Sequence, residues 1–151
     1  MTIGQICNRE VTIVMPDTSL LECAKLMRQY HVGDLIVVRD DHCVNIPVGI
    51  LTDRDLVIEV LAQNLDLDAL VAGDVMSDQL LTLSESDDVD GAIEKMRDRG
   101  VRRAPVVNAN QVLVGIVAID DLIDLFAERL ENLSALIKRE HIKESELRHT
   151  V

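Results

Sequence analysis

The chain repeats itself, and this repetition limits its fold more than any other feature. Val32-Gly33-Asp34-Leu35-Ile36-Val37-Val38 returns as Val101-Arg102-Arg103-Ala104-Pro105-Val106-Val107, shifted by 69 residues. Val48-Gly49-Ile50-Leu51-Thr52-Asp53-Arg54-Asp55-Leu56 returns as Val114-Gly115-Ile116-Val117-Ala118-Ile119-Asp120-Asp121-Leu122, shifted by 66. The difference is a longer turn in the first copy, residues 39–47. Ile6-Cys7 and Val75-Met76 again correspond at 69. Halves of about 65 residues are poorly stable alone, so two copies packed face to face are expected.

Each half reads as β-α-β-β-α, an α/β (α+β) unit occurring twice. Residues 11–15 and 80–83 are short apolar runs that predict a first strand. Pro16-Asp17-Thr18-Ser19 and Ser84-Glu85-Ser86-Asp87 follow with N-cap residues. Ser19 and Glu22 have capping-box spacing. The first helix runs to about Tyr30 with Leu20, Cys23, Ala24 and Met27 on one face. The second runs from about Val89 to Arg99, burying Ala92, Ile93 and Met96, and Gly100 closes it. Runs 35–38, 48–51, 104–107 and 112–119 are Val- and Ile-rich and predict buried strands. A further helix starts near Asp53 and near Asp120, and residues 63–73 connect the halves. The boundaries expected are 1–66 for the first repeat, 67–128 for the second and 129–151 for a helical extension. In the last helix, Leu122, Phe126, Leu130, Leu133 and Ile137 recur at spacings of four, four, three and four. A seam that outlasts its own repeat points to a homodimer contact or a partner helix; a helix folded back on its own module is the alternative. The polar end, residues 139–151, is expected to fray.

Composition narrows the function. Hydrophobic residues are 48% of the 151, while Tyr30 and Phe126 are the only aromatics. The core is therefore aliphatic, and a planar ligand is expected to be held by Val, Ile and Leu. A net charge of −12 disfavours nucleic-acid backbones, and base stacking lacks its aromatics. No basic region followed by an apolar run opens the chain, and no stretch reaches the roughly 18–20 apolar residues of a membrane span. Three cysteines without CxxC spacing fit reduced thiols in a cytoplasm. There is no GxGxxG, no P-loop and no GxSxG elbow, so catalysis has no support. His42 and Cys43 are adjacent in a turn, which is a poor arrangement for chelating one metal ion.

Gly49-Ile50-Leu51-Thr52-Asp53-Arg54-Asp55 and Gly115-Ile116-Val117-Ala118-Ile119-Asp120-Asp121, each ending its β-β segment, resemble the signature of a CBS (cystathionine β-synthase-type) domain pair, or Bateman module. Gly100-Val101-Arg102-Arg103-Ala104-Pro105-Val106-Val107 adds to the resemblance, which covers about residues 2–126. It implies two clefts for adenosyl compounds (AMP, ADP, ATP, NAD or S-adenosylmethionine) in a module standing alone, without enzymatic activity, that reports occupancy to a regulated protein. It requires no other cofactor and no metal.

The resemblance also implies that Asp55 accepts from both ribose hydroxyls while Thr52 reaches ribose or phosphate. Thr52 and Asp55 share a face at a helix N-terminus, where free N–H groups favour phosphate. A carboxylate is an acceptor-only group, suited to a diol. The same pair fits a capping box, and the two roles can coexist. In the second copy Asp121 is present, but Ala118 replaces the hydroxyl residue. A capping box is therefore not expected there, and the second cleft lacks an anchor. Arg102 and Arg103 would meet phosphate, with a pairing to nearby acids as the alternative. Val14, Ile36, Leu83 and Pro105 are candidates for holding adenine, and Thr82 matches a family threonine where the first copy has Ile13. A dimeric scaffold with empty clefts is the competing function.

Overall fold

The computed structural model describes residues 1–148; the last three residues of the expected extension lie outside it. Two compact units divide at Ala118, the first being Met1–Val117. The second is α6, Ile119–Arg148, one unbroken helix that runs past the expected repeat boundary. No helix among the described residues is long and apolar enough to cross a membrane.

The first unit holds two three-stranded sheets, β1-β2-β3 and β4-β5-β6, one per repeat. In the first repeat these are β1 (Ile13–Val14), β2 (Asp34–Asp41) and β3 (Val44–Thr52). In the second they are β4 (Leu83–Ser84), β5 (Arg103–Val107) and β6 (Leu113–Ala118). The opening strands are shorter than the apolar runs predicted, because each pairs with its neighbour over only two residues. β2 and β3 pair antiparallel, with a bulge where Val37 faces Gly49 and Val38 faces Pro47. Pro47 has no N–H to give, so the ladder slips there.

The long turn expected between β2 and β3 is instead a tight hairpin. His42 and Cys43 both have positive φ, 51° and 69°. This matches the handedness of a two-residue hairpin turn, and the Asp40 carboxylate accepts from the Cys43 N–H at 2.9 Å. Apolar run length cannot reveal such pairing, because residues 39–46 of the hairpin are mostly polar.

Helix α2 (Leu20–Tyr30) starts at Ser19, whose hydroxyl accepts from the Glu22 N–H at 3.2 Å, and ends in left-handed His31. Helix α5 (Val89–Arg99) ends at Gly100 as expected, with φ 65°. Its N-cap is Asp88, one residue beyond the predicted set, accepting from the Gly91 N–H at 2.9 Å. Asp87 does other work, accepting from the Ser84 N–H at 3.0 Å and from Lys95 at 2.8 Å. After β3, α3 (Asp53–Asp55) widens into a π-helical stretch, Leu56–Leu61.

Two short helices were not foreseen: α1 (Ile3–Ile6) and α4 (Ala72–Val75). Each opens one repeat and docks on the other. Ile3 and Gly4 donate to the Asp87 and Glu85 carbonyls at 2.8 and 2.9 Å. Their counterparts Ala72 and Gly73 donate to Thr18 and Pro16, both at 2.8 Å. Asn8 then bridges Ile116 on β6, and Ser77 bridges Ile50 on β3. Ala72 consequently lies in the first repeat's core with Val14, Leu20, Cys23, Leu35 and Leu51.

This crossing explains the signature glycines. A Cβ on Gly115 would stand 2.7 Å from the Cys7 sulfur and 2.8 Å from the Asn8 carbonyl oxygen, and one on Gly49 would stand 2.4 Å from the Met76 sulfur. A thioether swings aside, whereas a bridged backbone carbonyl does not. Gly115→Ala is therefore expected to cost about 1–3 kcal/mol by overpacking. Urea unfolding reads this as a lower midpoint; an unchanged midpoint would mean the crossing segment has room to move.

Candidate nucleoside-binding grooves

The Thr52–Asp55 pair forms a complete capping box. The Asp55 Oδ2 accepts from the Thr52 N–H at 2.8 Å, and the Thr52 hydroxyl accepts from the Asp55 N–H at 3.2 Å. This fixes the carboxylate while leaving its Oδ1 and the Thr52 hydroxyl proton for another partner. Asp55 also lines a groove of about 410 Å³ with Glu59, Gln63, Leu70, Asp74 and Ser77. The cap and an outward-facing acceptor thus coexist in one side chain.

In the second unit, Asp121 sits exposed in the first turn of α6. Its Oδ2 accepts from the Ala118 N–H at 2.8 Å. The sequence reading is corrected here: Ala118 removes only the hydroxyl half of the box. The other half needs a backbone N–H, which every residue but proline has.

A larger groove, about 620 Å³, is lined by Asn8, Glu10, Thr12, Ile13, Tyr30 and Val32. None of these was singled out as a ligand residue. Tyr30 is 54% exposed, so an aromatic face is available where aliphatic residues alone were expected. Its rarity in the composition was the signal. Thr12 is the other: the hydroxyl that the second repeat carries at Thr82 stands one residue earlier in the first.

The predicted adenine contacts lie deeper. Ile36 and Leu83 have no exposed surface, and Val14 is 5% exposed. Pro105 is also buried and Thr82 half-buried. Ile36, Leu83, Val14 and Pro105 form core behind the sheet surface, because β2 and β5 are packed on both faces.

Arg102 is exposed. Arg103 is paired with an acid: its Nε lies 3.1 Å from the Asp34 Oδ1. Positions 34 and 103 are equivalent in the two repeats, so the pair joins the copies through the same place in each. Burial pushes the Asp34 carboxyl above its ordinary value; Arg103 opposes this, and Asp53 adds to it. A phosphate approaching Arg103 meets a guanidinium already engaged by a carboxylate. Among the described residues, no group of three or more His, Cys, Asp or Glu is gathered to hold a metal ion.

Comparison with known proteins gives a consistent picture. The family model described as the CBS domain matches residues 3–62 and 72–128. An uncharacterized protein of Methanopyrus kandleri is 34% identical over 125 residues, which are 83% of this chain and 62% of that relative. Hypoxic response protein 1 of Mycobacterium tuberculosis is 34% identical over 121 residues, 80% of this chain and 82% of its own. Hypoxic Response Protein I, solved with two coordinated zinc ions, superimposes with a TM-score of 0.71 at 31% identity, covering 82% of this chain and 98% of that one. A CBS domain pair solved with 5′-methylthioadenosine and S-adenosyl-L-methionine gives a TM-score of 0.73 at 27% identity, covering 85% and 98%.

The raised Asp34 carboxyl predicts a pH dependence. As pH rises above 3.8, the unfolded chain's Asp34 ionises first and folding loses free energy until the folded carboxyl ionises too. Relative to Asp34→Asn, the natural protein should therefore lose stability over that window and stay level above it. Urea midpoints for both proteins from about pH 3 to about pH 7 measure this. A natural protein that gains on the variant instead would show Arg103 outweighing burial.

Proposed function

The chain belongs to the CBS domain family as a pair of repeats, and from that premise we propose that it is a non-catalytic, homodimeric regulatory module that binds an adenosyl compound and passes its occupancy to a partner protein. The observation that carries this reading is Asp55. Its capping box orients a carboxylate at a groove and leaves one oxygen to accept. A ribose diol has two donors to offer it. A related CBS pair with 5′-methylthioadenosine and S-adenosyl-L-methionine bound supports the ligand class.

AMP, ADP, ATP, NAD and S-adenosylmethionine share that adenosine. The Arg103–Asp34 pair separates them by charge. Phosphate at Arg103 shares the guanidinium with a carboxylate and meets its negative charge, whereas an uncharged or cationic tail does not. Methylthioadenosine and S-adenosylmethionine are therefore favoured over nucleotides at this end of the module. The free thiols of Cys7, Cys23 and Cys43 agree with a cytoplasmic setting.

Thermal shift across these compounds tests the reading. A ligand at a hundredfold excess over Kd adds about 2.7 kcal/mol, a rise of roughly 5–10 °C. Asp55→Asn is the discriminating variant: its carbonyl keeps the backbone acceptor of the cap, while its amide cannot accept from the diol. The expected result is an unchanged melting temperature without ligand and a lost shift with it. A full shift in this variant would remove Asp55 from the site. No shift for any compound would favour a scaffold with empty clefts, the reading to which Ala118 points.

A further inference from the structure

Helix α6 carries an apolar seam. Ile123, Phe126, Leu130, Leu133 and Ile137 are 58%, 38%, 67%, 62% and 54% exposed. Their spacing, three-four-three-four, is the a/d pattern of a helix that packs on another helix. Leu122 is the one buried residue among those described in α6. Five large apolar side chains in register along one helix make a patch of the kind that marks an interaction site.

Charge along the helix selects the occupant. Residues 119–133 carry five acids and one base, a net −4. Residues 134–148 carry four bases (Lys138, Arg139, Lys143, Arg148) and three acids, a net +1. Two copies side by side in parallel would lay −4 on −4. Two copies antiparallel lay the acidic half of each on the basic half of the other. One register pairs four of the five seam residues and the charges together, leaving Ile123 at the edge of the contact beside Glu140. Facing Leu130 with Leu133 and Phe126 with Ile137 also brings Asp124 level with Arg139, and Asp120 level with Lys143. The arrangement is self-complementary, as a two-fold interface requires.

We propose that the face of α6 over residues 126–137 binds the same face of a second copy of this chain, antiparallel. This rests on the homodimer in the proposed function and names its contact.

Sedimentation equilibrium and oxidative cross-linking test it on the full chain. The natural protein should sediment at twice its 16.8 kDa. Leu130→Glu with Leu133→Glu should sediment at the single mass with unchanged far-ultraviolet circular dichroism. A natural protein that is monomeric throughout would overturn the homodimer itself. A dimer that survives the double substitution would leave the homodimer standing and overturn the α6 contact. Should the double variant lose helix, cross-linking decides alone. In a Cys43→Ser background, which removes the exposed thiol, Phe126→Cys and Ile137→Cys proteins of different tag length are mixed and oxidised. The antiparallel register predicts the mixed product, one protomer of each length. Products of a single length only would mean parallel pairing, and no product would mean no α6 contact.

Discussion

The crossing of each repeat's opening segment onto the other repeat holds the two-sheet unit together. Four backbone donors carry it: Ile3 and Gly4 on one side, Ala72 and Gly73 on the other, all within 2.9 Å of their acceptors. The segments then run under β6 and β3, pairing Asn8 with Ile116 and Ser77 with Ile50. Backbone can approach a strand that closely only where the strand has no side chain, which is why Gly115 and Gly49 stand where they do. A half-chain of about 65 residues has too little core to be comfortable alone. Here each half lends a helix to the other, so Ala72 fills the first core and the fully buried Ile3 docks on the second repeat. The glycines at the head of the family signature therefore serve assembly, and the hydroxyl and acid that follow cap the next helix.

Duplication imposes a second constraint. Where equivalent positions of two copies meet, identical residues must tolerate one another. Two aspartates at positions 34 and 103 would repel, and two arginines would repel as well. The chain resolves this by asymmetry, Asp34 against Arg103 at 3.1 Å. The resolution has a chemical consequence. The cation expected to meet phosphate already has a carboxylate on its Nε, and the nearby Asp53 helps raise the Asp34 carboxyl. The proposed preference among ligand tails thus follows from how the two halves fit, before any groove is considered.

Much of this was legible in the residues. The 69- and 66-residue shifts fixed the repeat, and α2 and α5 begin and end within a residue of their caps. What was missed was short or paired at a distance. Helices α1 and α4 have four residues each, too few to show a period, and their donors find acceptors more than fifty residues away. The His42-Cys43 turn has neither glycine nor asparagine at its positive-φ positions, so nothing narrowed the expected turn of residues 39–47 to two residues. The Thr52–Asp55 capping box was legible because its spacing is local. That Tyr30 and Thr12 line one groove was not, because a groove wall is built by elements far apart in the chain. The adenine candidates illustrate a different limit: apolar residues on a strand packed on both faces look the same in sequence whether they wall a groove or fill a core.

The capping box and the proposed ligand role are not competitors for Asp55. A carboxylate that must accept from a diol needs a fixed orientation, and a flexible one would lose entropy on every binding event. The bond from the Thr52 N–H to Oδ2 supplies that orientation before ligand arrives. It uses one oxygen, and a carboxylate has two. The bond from the Ala118 N–H to Asp121 does the same without any hydroxyl, which makes the backbone half of the box the part that both repeats retain. Alanine at 118, where the first repeat has Thr52, therefore removes a hydroxyl and leaves the acid accepting from a backbone N–H at the same 2.8 Å. Both carboxylates accept from the backbone N–H three residues earlier at 2.8 Å, and they differ in burial and in the hydroxyl beside them.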